Sequence, residues 1–270
     1  MTMNIEGAAD ADPFFSDPNP SGSPPVLLLH ELGANCSSWS LQIPPLVEAG
    51  FRPIAPDVRG FGKSPYHGGG MAIPSLASDA ATLLQSLNAS PAIIVGISMG
   101  GAIALQLALD EPQAVSKLVL VNTFASLRAE KLSIWLYFSF RLLLVHTLGL
   151  PAQARTVARR IFPKPEQAEL RQLLIEQITQ ADPRAYRAVM RALARFDVTA
   201  RLGNIRVPTL IITGEQDTTV PLKSQRVLLA GIPNAWQIIM PAAGHAVTAE
   251  QPQAFNQHLL DFLTFLPSFR

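Results

Sequence analysis

The 270-residue chain has a single cysteine, Cys36. A lone thiol excludes an intrachain disulfide and any zinc site built from several thiolates, and it suits a reducing compartment. Charge is also scarce: only 15% of residues are charged, and 21 Lys+Arg against 20 Asp+Glu leave a net +1. Such a molecule lacks the field that steers a protein onto a phosphate backbone, so nucleic acid is not an expected partner. Long apolar runs are missing too. Residues 132–145 form the longest one, but Arg141 interrupts it and it falls short of the ~20 residues a spanning helix needs. Residues 1–24 hold Asp10, Asp12, Asp17 and four prolines, with neither a basic start nor an apolar core, so they are read as a proline-rich segment and not a secretory signal. The cytoplasm is the expected location.

What the chain does have is apolar content, 48% of residues, enough to outweigh the entropy of ordering. Its length suits one core carrying an insertion. No internal repeat is present. Short apolar runs recur at 26–29, 53–55, 92–95, 117–121, 209–213 and 237–240, near-continuous as in strands buried on both faces. Helix-period segments alternate with them at 41–48, 75–87, 99–109, 222–229 and 253–266, with Ser75 as the expected N-cap of the second. That alternation predicts the α/β class, a mostly parallel central sheet with helices on both faces. The rhythm fails from 124 to 201, where helix periodicity runs without a strand. This segment is read as a helical cap inserted into a core made of 25–123 and 202–270.

In such a sheet ligands bind beyond the carboxyl ends of the strands, and reactive residues occupy those loops. Gly96-Ile97-Ser98-Met99-Gly100-Gly101 follows an apolar strand and opens a helix. That is the context of a Gly-x-Ser-x-Gly elbow, in which glycines let neighbouring backbone pass a serine held on a strained turn. A serine hydroxyl needs a base. Of five histidines, His245 lies in the loop between the last strand and the last helix, whereas His67, His146 and His258 read as solvated or structural and His30 follows the first long strand. The imidazole needs an orienting carboxylate, for which Asp217 and, closer to the strand end, Glu215 both compete. Backbone N–H groups of Met99, directly after the serine, and Leu32, in His30-Glu31-Leu32-Gly33, are placed to form an oxyanion hole.

With these residues in hand, the sequence resembles the α/β-hydrolase superfamily. The resemblance rests on the apolar run ending at His30, on Asp57-Val58-Arg59-Gly60-Phe61-Gly62-Lys63-Ser64, on the elbow, on the Asp217 loop and on Gly244-His245. It implies an α/β-hydrolase fold with a lid and a cofactor-free, metal-free Ser98–His245–Asp217 triad, as in lidded esterases, enol-lactonases and cofactor-free haloperoxidases. The serine excludes the aspartate-nucleophile dehalogenases and epoxide hydrolases. The expected activity is hydrolysis of a small or medium, mainly apolar carboxylic ester, lactone or related acyl compound. A small-molecule receptor that keeps the triad, and a perhydrolase, share the same residues. Two departures stand out: Glu31 occupies the position where the family has glycine, pointing away to a cation such as Arg59 in the simplest arrangement, and the N-terminus is short, with Phe14-Phe15 as the remnant of a leading strand.

Residues 124–201 carry 13 Lys+Arg and 6 Asp+Glu, hence +7, against −6 for the remainder. Arg184, Arg187, Arg191 and Arg195 share one helix face opposite Tyr186, Val189, Met190, Leu193 and Phe196. A solvated face over a buried one explains this pattern, and attraction of an anionic substrate or membrane surface is the alternative. The stretch 132–140 is apolar all round. It either packs into the core or, with Trp135 and Phe138, roofs a pocket for an apolar acyl group.

Overall fold

Alternate residues of the central strands enter two separate apolar layers, which is why each strand reads as a continuous apolar run. In this computed structural model, which describes residues 13–127 and 132–264, Leu27, Leu29, Ile94, Leu118, Leu120 and Ile211 face one layer. Val26, Leu28, Ile93, Val95, Val119, Val121, Leu210 and Ile212 face the other. The elements of the first half are β1 (Phe15–Ser16), β2 (Pro25–Leu29), α1 (Ile43–Glu48), β3 (Arg52–Pro56), α2 (Ile73–Ser86), β4 (Ala92–Ile97), α3 (Met99–Asp110) and β5 (Val115–Val121). Four helices follow: α4 (Leu132–Thr147), α5 (Gly149–Ile161), α6 (Ala168–Gln180) and α7 (Pro183–Arg195). The chain then returns through β6 (Thr209–Gly214), α8 (Leu222–Gly231), β7 (Ala235–Met240), α9 (Val247–Glu250) and α10 (Pro252–Thr264).

The sheet order is β1-β3-β2-β4-β5-β6-β7, parallel throughout except for β1, which pairs antiparallel with β3 through Phe15↔Pro56 and Ser16↔Ala55. The leading strand is therefore present, reduced to two residues. Asp17 anchors it through a 2.7 Å ion pair to Arg52.

Two helix starts differ from expectation by two residues. Helix α2 begins at Ile73 with Ala72 at the cap, because Pro74 supplies a preset first turn. Ser75 lies inside the helix and its hydroxyl donates to the Gly70 and Ala72 carbonyls. Helix α1 begins at Ile43 rather than 41, after the chain passes through a short 3-10 turn at Cys36–Trp39.

The four-helix insertion lies between β5 and β6, and at its base Ser126 bridges Asp197 and Val198 N–H donates to Ala125 O at 2.9 Å. Tyr186, Val189, Met190, Leu193 and Phe196 are buried and Arg184, Arg191 and Arg195 are exposed, as the helical spacing predicts, while Arg187 on the same face is half-buried. Its buried side chains join the same apolar layer as Leu29, Met99 and Phe124. The side chains of Trp135 and Phe138 lie outside the described residues. No helix among the described residues is long and apolar enough to cross a membrane.

Candidate active site

Ser98 sits between β4 and α3 with φ 53° and ψ −112°, a left-handed backbone that a non-glycine residue adopts only when its surroundings impose it. Those surroundings are visible. A Cβ on Gly96 would strike the Gly100 carbonyl, one on Gly100 would strike the Leu29 carbonyl, and one on Gly101 would lie 2.5 Å from the Thr123 side chain. Ser98 N–H donates to Val121 O at 3.0 Å, and Thr123 Oγ1 donates to Ser98 O at 2.7 Å. The serine is half-buried, on a turn bonded to the next strand.

Asp217 lies in the loop after β6 and is nearly inaccessible. Its Oδ1 accepts from the N–H groups of Thr219 (2.7 Å) and Val220 (2.9 Å), and its Oδ2 lies 2.8 Å from His245 Nδ1. Glu215 is exposed, and its carboxylate accepts from Ala242 N–H at 3.1 Å, so the competition between the two acids resolves on contact with the imidazole. Burial pulls the His245 pKa down, but the neighbouring Asp217 carboxylate, with smaller help from Glu31 and Glu250, outweighs it and leaves the imidazole above its ordinary 6.5. Among the described residues, no hydrogen bond joins Ser98 Oγ to His245.

Asn122, immediately after β5, ties these loops together. Its Nδ2 donates to the carbonyls of Gly244 (3.0 Å) and His245 (2.7 Å), and its Oδ1 accepts from Gly214 N–H (2.8 Å). Asn122 and Thr123 play a part that no sequence motif pointed to.

The turn after β2 is held by His30, which is fully buried. Its Nε2 accepts from Val58 N–H at 3.0 Å, so Nδ1 carries the proton and donates to Glu31 O at 2.8 Å. Burial lowers the His30 pKa, which keeps the ring neutral and able to make both bonds. Leu32, half-buried, follows in the same turn, and Met99 is the first residue of α3, where N–H groups have no intrahelical acceptor. Arg59 pairs with Asp79 at 2.7 Å, not with Glu31. Asp57 accepts from Cys36 N–H and Lys63 N–H, both at 2.7 Å, and so braces the two loops beside this turn. Burial and the Asp57 charge push the Cys36 thiol up to about 12, which leaves it a poor nucleophile.

Residues 24–252 match the family described as alpha/beta hydrolase fold. The chain belongs to that family. A Variovorax paradoxus protein provisionally named carbamate hydrolase RutD is 35% identical over 250 residues, 90% of this chain and 93% of that protein. The 3-oxoadipate enol-lactonase 2 of Acinetobacter baylyi is 31% identical, with 86% of each chain covered. Among solved structures, an esterase from Exiguobacterium antarcticum superposes with a TM-score of 0.87 at 25% identity, covering 94% of this chain and 96% of that one. The enol-lactonase of Burkholderia xenovorans superposes at 0.84 with 26% identity, over 94% and 96% of the two chains. The chain is thus a hydrolase of the α/β family, built on the mostly parallel sheet its sequence predicts.

Proposed function

We propose that this chain is a serine hydrolase acting on a small or medium, mainly apolar carboxylic ester, lactone or related acyl compound. Ser98 Oγ attacks the carbonyl carbon while His245 Nε2 takes its proton, and Asp217 holds the imidazole and balances the imidazolium. The Met99 and Leu32 amides bind the oxyanion. His245 returns the proton to the leaving group, then activates a water that frees the acid from Ser98. The observation that carries this reading is the 2.8 Å contact between His245 Nδ1 and the buried Asp217, in a chain whose Ser98 stands on a strained strand-to-helix turn. Substrate binding brings Ser98 Oγ and His245 Nε2 into hydrogen-bond reach, since catalytic hydrogen bonds tighten in the Michaelis complex. The helical insertion, with Trp135 and Phe138 on sequence grounds, receives the acyl group.

A carbamate is the second reading, favoured by the 35% identity to the Variovorax relative. It presents the same carbonyl to Ser98, and its signature is ammonia or amine release. The test is a chain-length series of p-nitrophenyl esters, run beside a carbamate with ammonia detection. Wild type is expected to prefer medium-chain over acetyl esters, and Ser98→Ala to lose about 10⁶-fold in kcat if the triad acts as a unit. Equal turnover of acetyl and octanoyl esters removes the apolar pocket, and an active Ser98→Ala enzyme removes the mechanism.

A further inference from the structure

Glu250, the last residue of α9, is half-buried and lies against the peptide that precedes His245. Gly244 N–H stands 3.1 Å from both Oε1 and Oε2 of its carboxylate. Glycine at 244 is what permits this approach, since a Cβ there would lie 2.8 Å from Oε1. From the insertion, Gln167 Nε2 reaches Oε2 at 3.3 Å, and the Lys164 ammonium adds its charge. These groups, with Arg160 and Thr218, line a cavity of about 50 Å³ between the insertion and the His245 loop.

The charge at this position needs a reason. A neutral amide oxygen would satisfy Gly244 N–H equally well, whereas a half-buried carboxylate loses hydration. Burial indeed pushes the Glu250 carboxyl above the ordinary Glu range, against the Gly244 and Ala246 amides, Lys164 and Gln167. What a carboxylate adds over an amide is a field, and the group that feels it is the buried His245 imidazole. The carboxylates that hold the proton on that ring are Asp217, Glu31 and Glu250, and the Arg160 and Lys164 cations line the same cavity.

We propose that Glu250 is a positioning residue for His245, holding the base-bearing loop through Gly244 N–H and setting a negative charge beside the imidazole. The proposal rests on the reading of His245 as the base. The test measures kcat and KM for p-nitrophenyl butyrate from pH 5 to 9, together with thermal unfolding, for wild type, Glu250→Gln, Glu250→Ala and Ser98→Ala. Glu250→Gln keeps an acceptor for Gly244 N–H but loses the charge. Its kcat/KM acid limb is expected about half a pH unit or more lower, with KM within about twofold of wild type. Glu250→Ala is expected to lose roughly 10- to 100-fold in kcat with little change in KM, because the loop is released. A Glu250→Gln enzyme with the wild-type pH profile overturns the proposal, as does a loss of kcat that follows thermal stability while the acid limb stays fixed. If Ser98→Ala is inert and the Glu250→Gln profile is unmoved, only the role of Glu250 falls. An active Ser98→Ala enzyme instead brings down the reading beneath it.

Discussion

Asp217 uses one oxygen to hold its own loop and the other to hold His245, so its position and its charge are separable. Asp217→Asn preserves the size of the side chain but favours the wrong imidazole tautomer. It is expected to lower kcat by about 10⁴-fold with little effect on thermal stability. In wild type, kcat/KM is expected to fall as pH drops through a value above 6.5, because His245 must be neutral to accept a proton and its neighbours hold the proton on more tightly than usual. A pH–rate profile of the ester reaction checks the sign: an acid limb below 6.5 contradicts it. The placement of Ser98, Asp217 and His245 in loops after β4, β6 and β7 was legible in sequence because an apolar run precedes each loop. Asn122, Thr123 and Glu250 were not. Their partners are mostly backbone atoms, for Asn122 more than a hundred residues away, and no local spacing signals such a bond.

The turn from β4 into α3 depends on close backbone approach more than on any side chain. Gly100→Ala sets a methyl group against the Leu29 carbonyl, where backbone cannot yield without moving β2. The expected cost is about 2 kcal/mol or more, read as a lower urea midpoint at unchanged slope, together with a loss of kcat because Ser98 is displaced. A variant as stable as wild type would show that the elbow relaxes elsewhere. At this scale the strands were legible because burial on both faces leaves uninterrupted apolar runs. The start of β5 at Val115 was hidden by Ser116, while Lys117, inside the expected run, sends its ammonium over to the Phe262 and Leu263 carbonyls at the end of α10. Ser75 misled because serine caps helices well, yet a preceding proline fixed the first turn earlier.

The insertion and the sheet share one apolar layer: Ala154, Ile178, Tyr186 and Met190 belong to the same buried cluster as Leu29, Met99 and Phe124. The molecule is therefore expected to unfold in one cooperative step, with calorimetric and van't Hoff enthalpies in agreement. Two resolved transitions would show that the insertion melts on its own. The cluster also limits what sequence could say here, since helix periodicity fixes which face of α7 is buried but not which elements bury it.

Asn122 binds peptide groups at positions 214, 244 and 245, which are synthesised long after it. A chain emerging from the ribosome therefore presents Ser98 and Asn122 long before the loop that carries His245. A chain that stops between Asn122 and residue 244 carries Ser98 but lacks His245, and fluorophosphonate probes are expected to label it far more slowly than the finished chain.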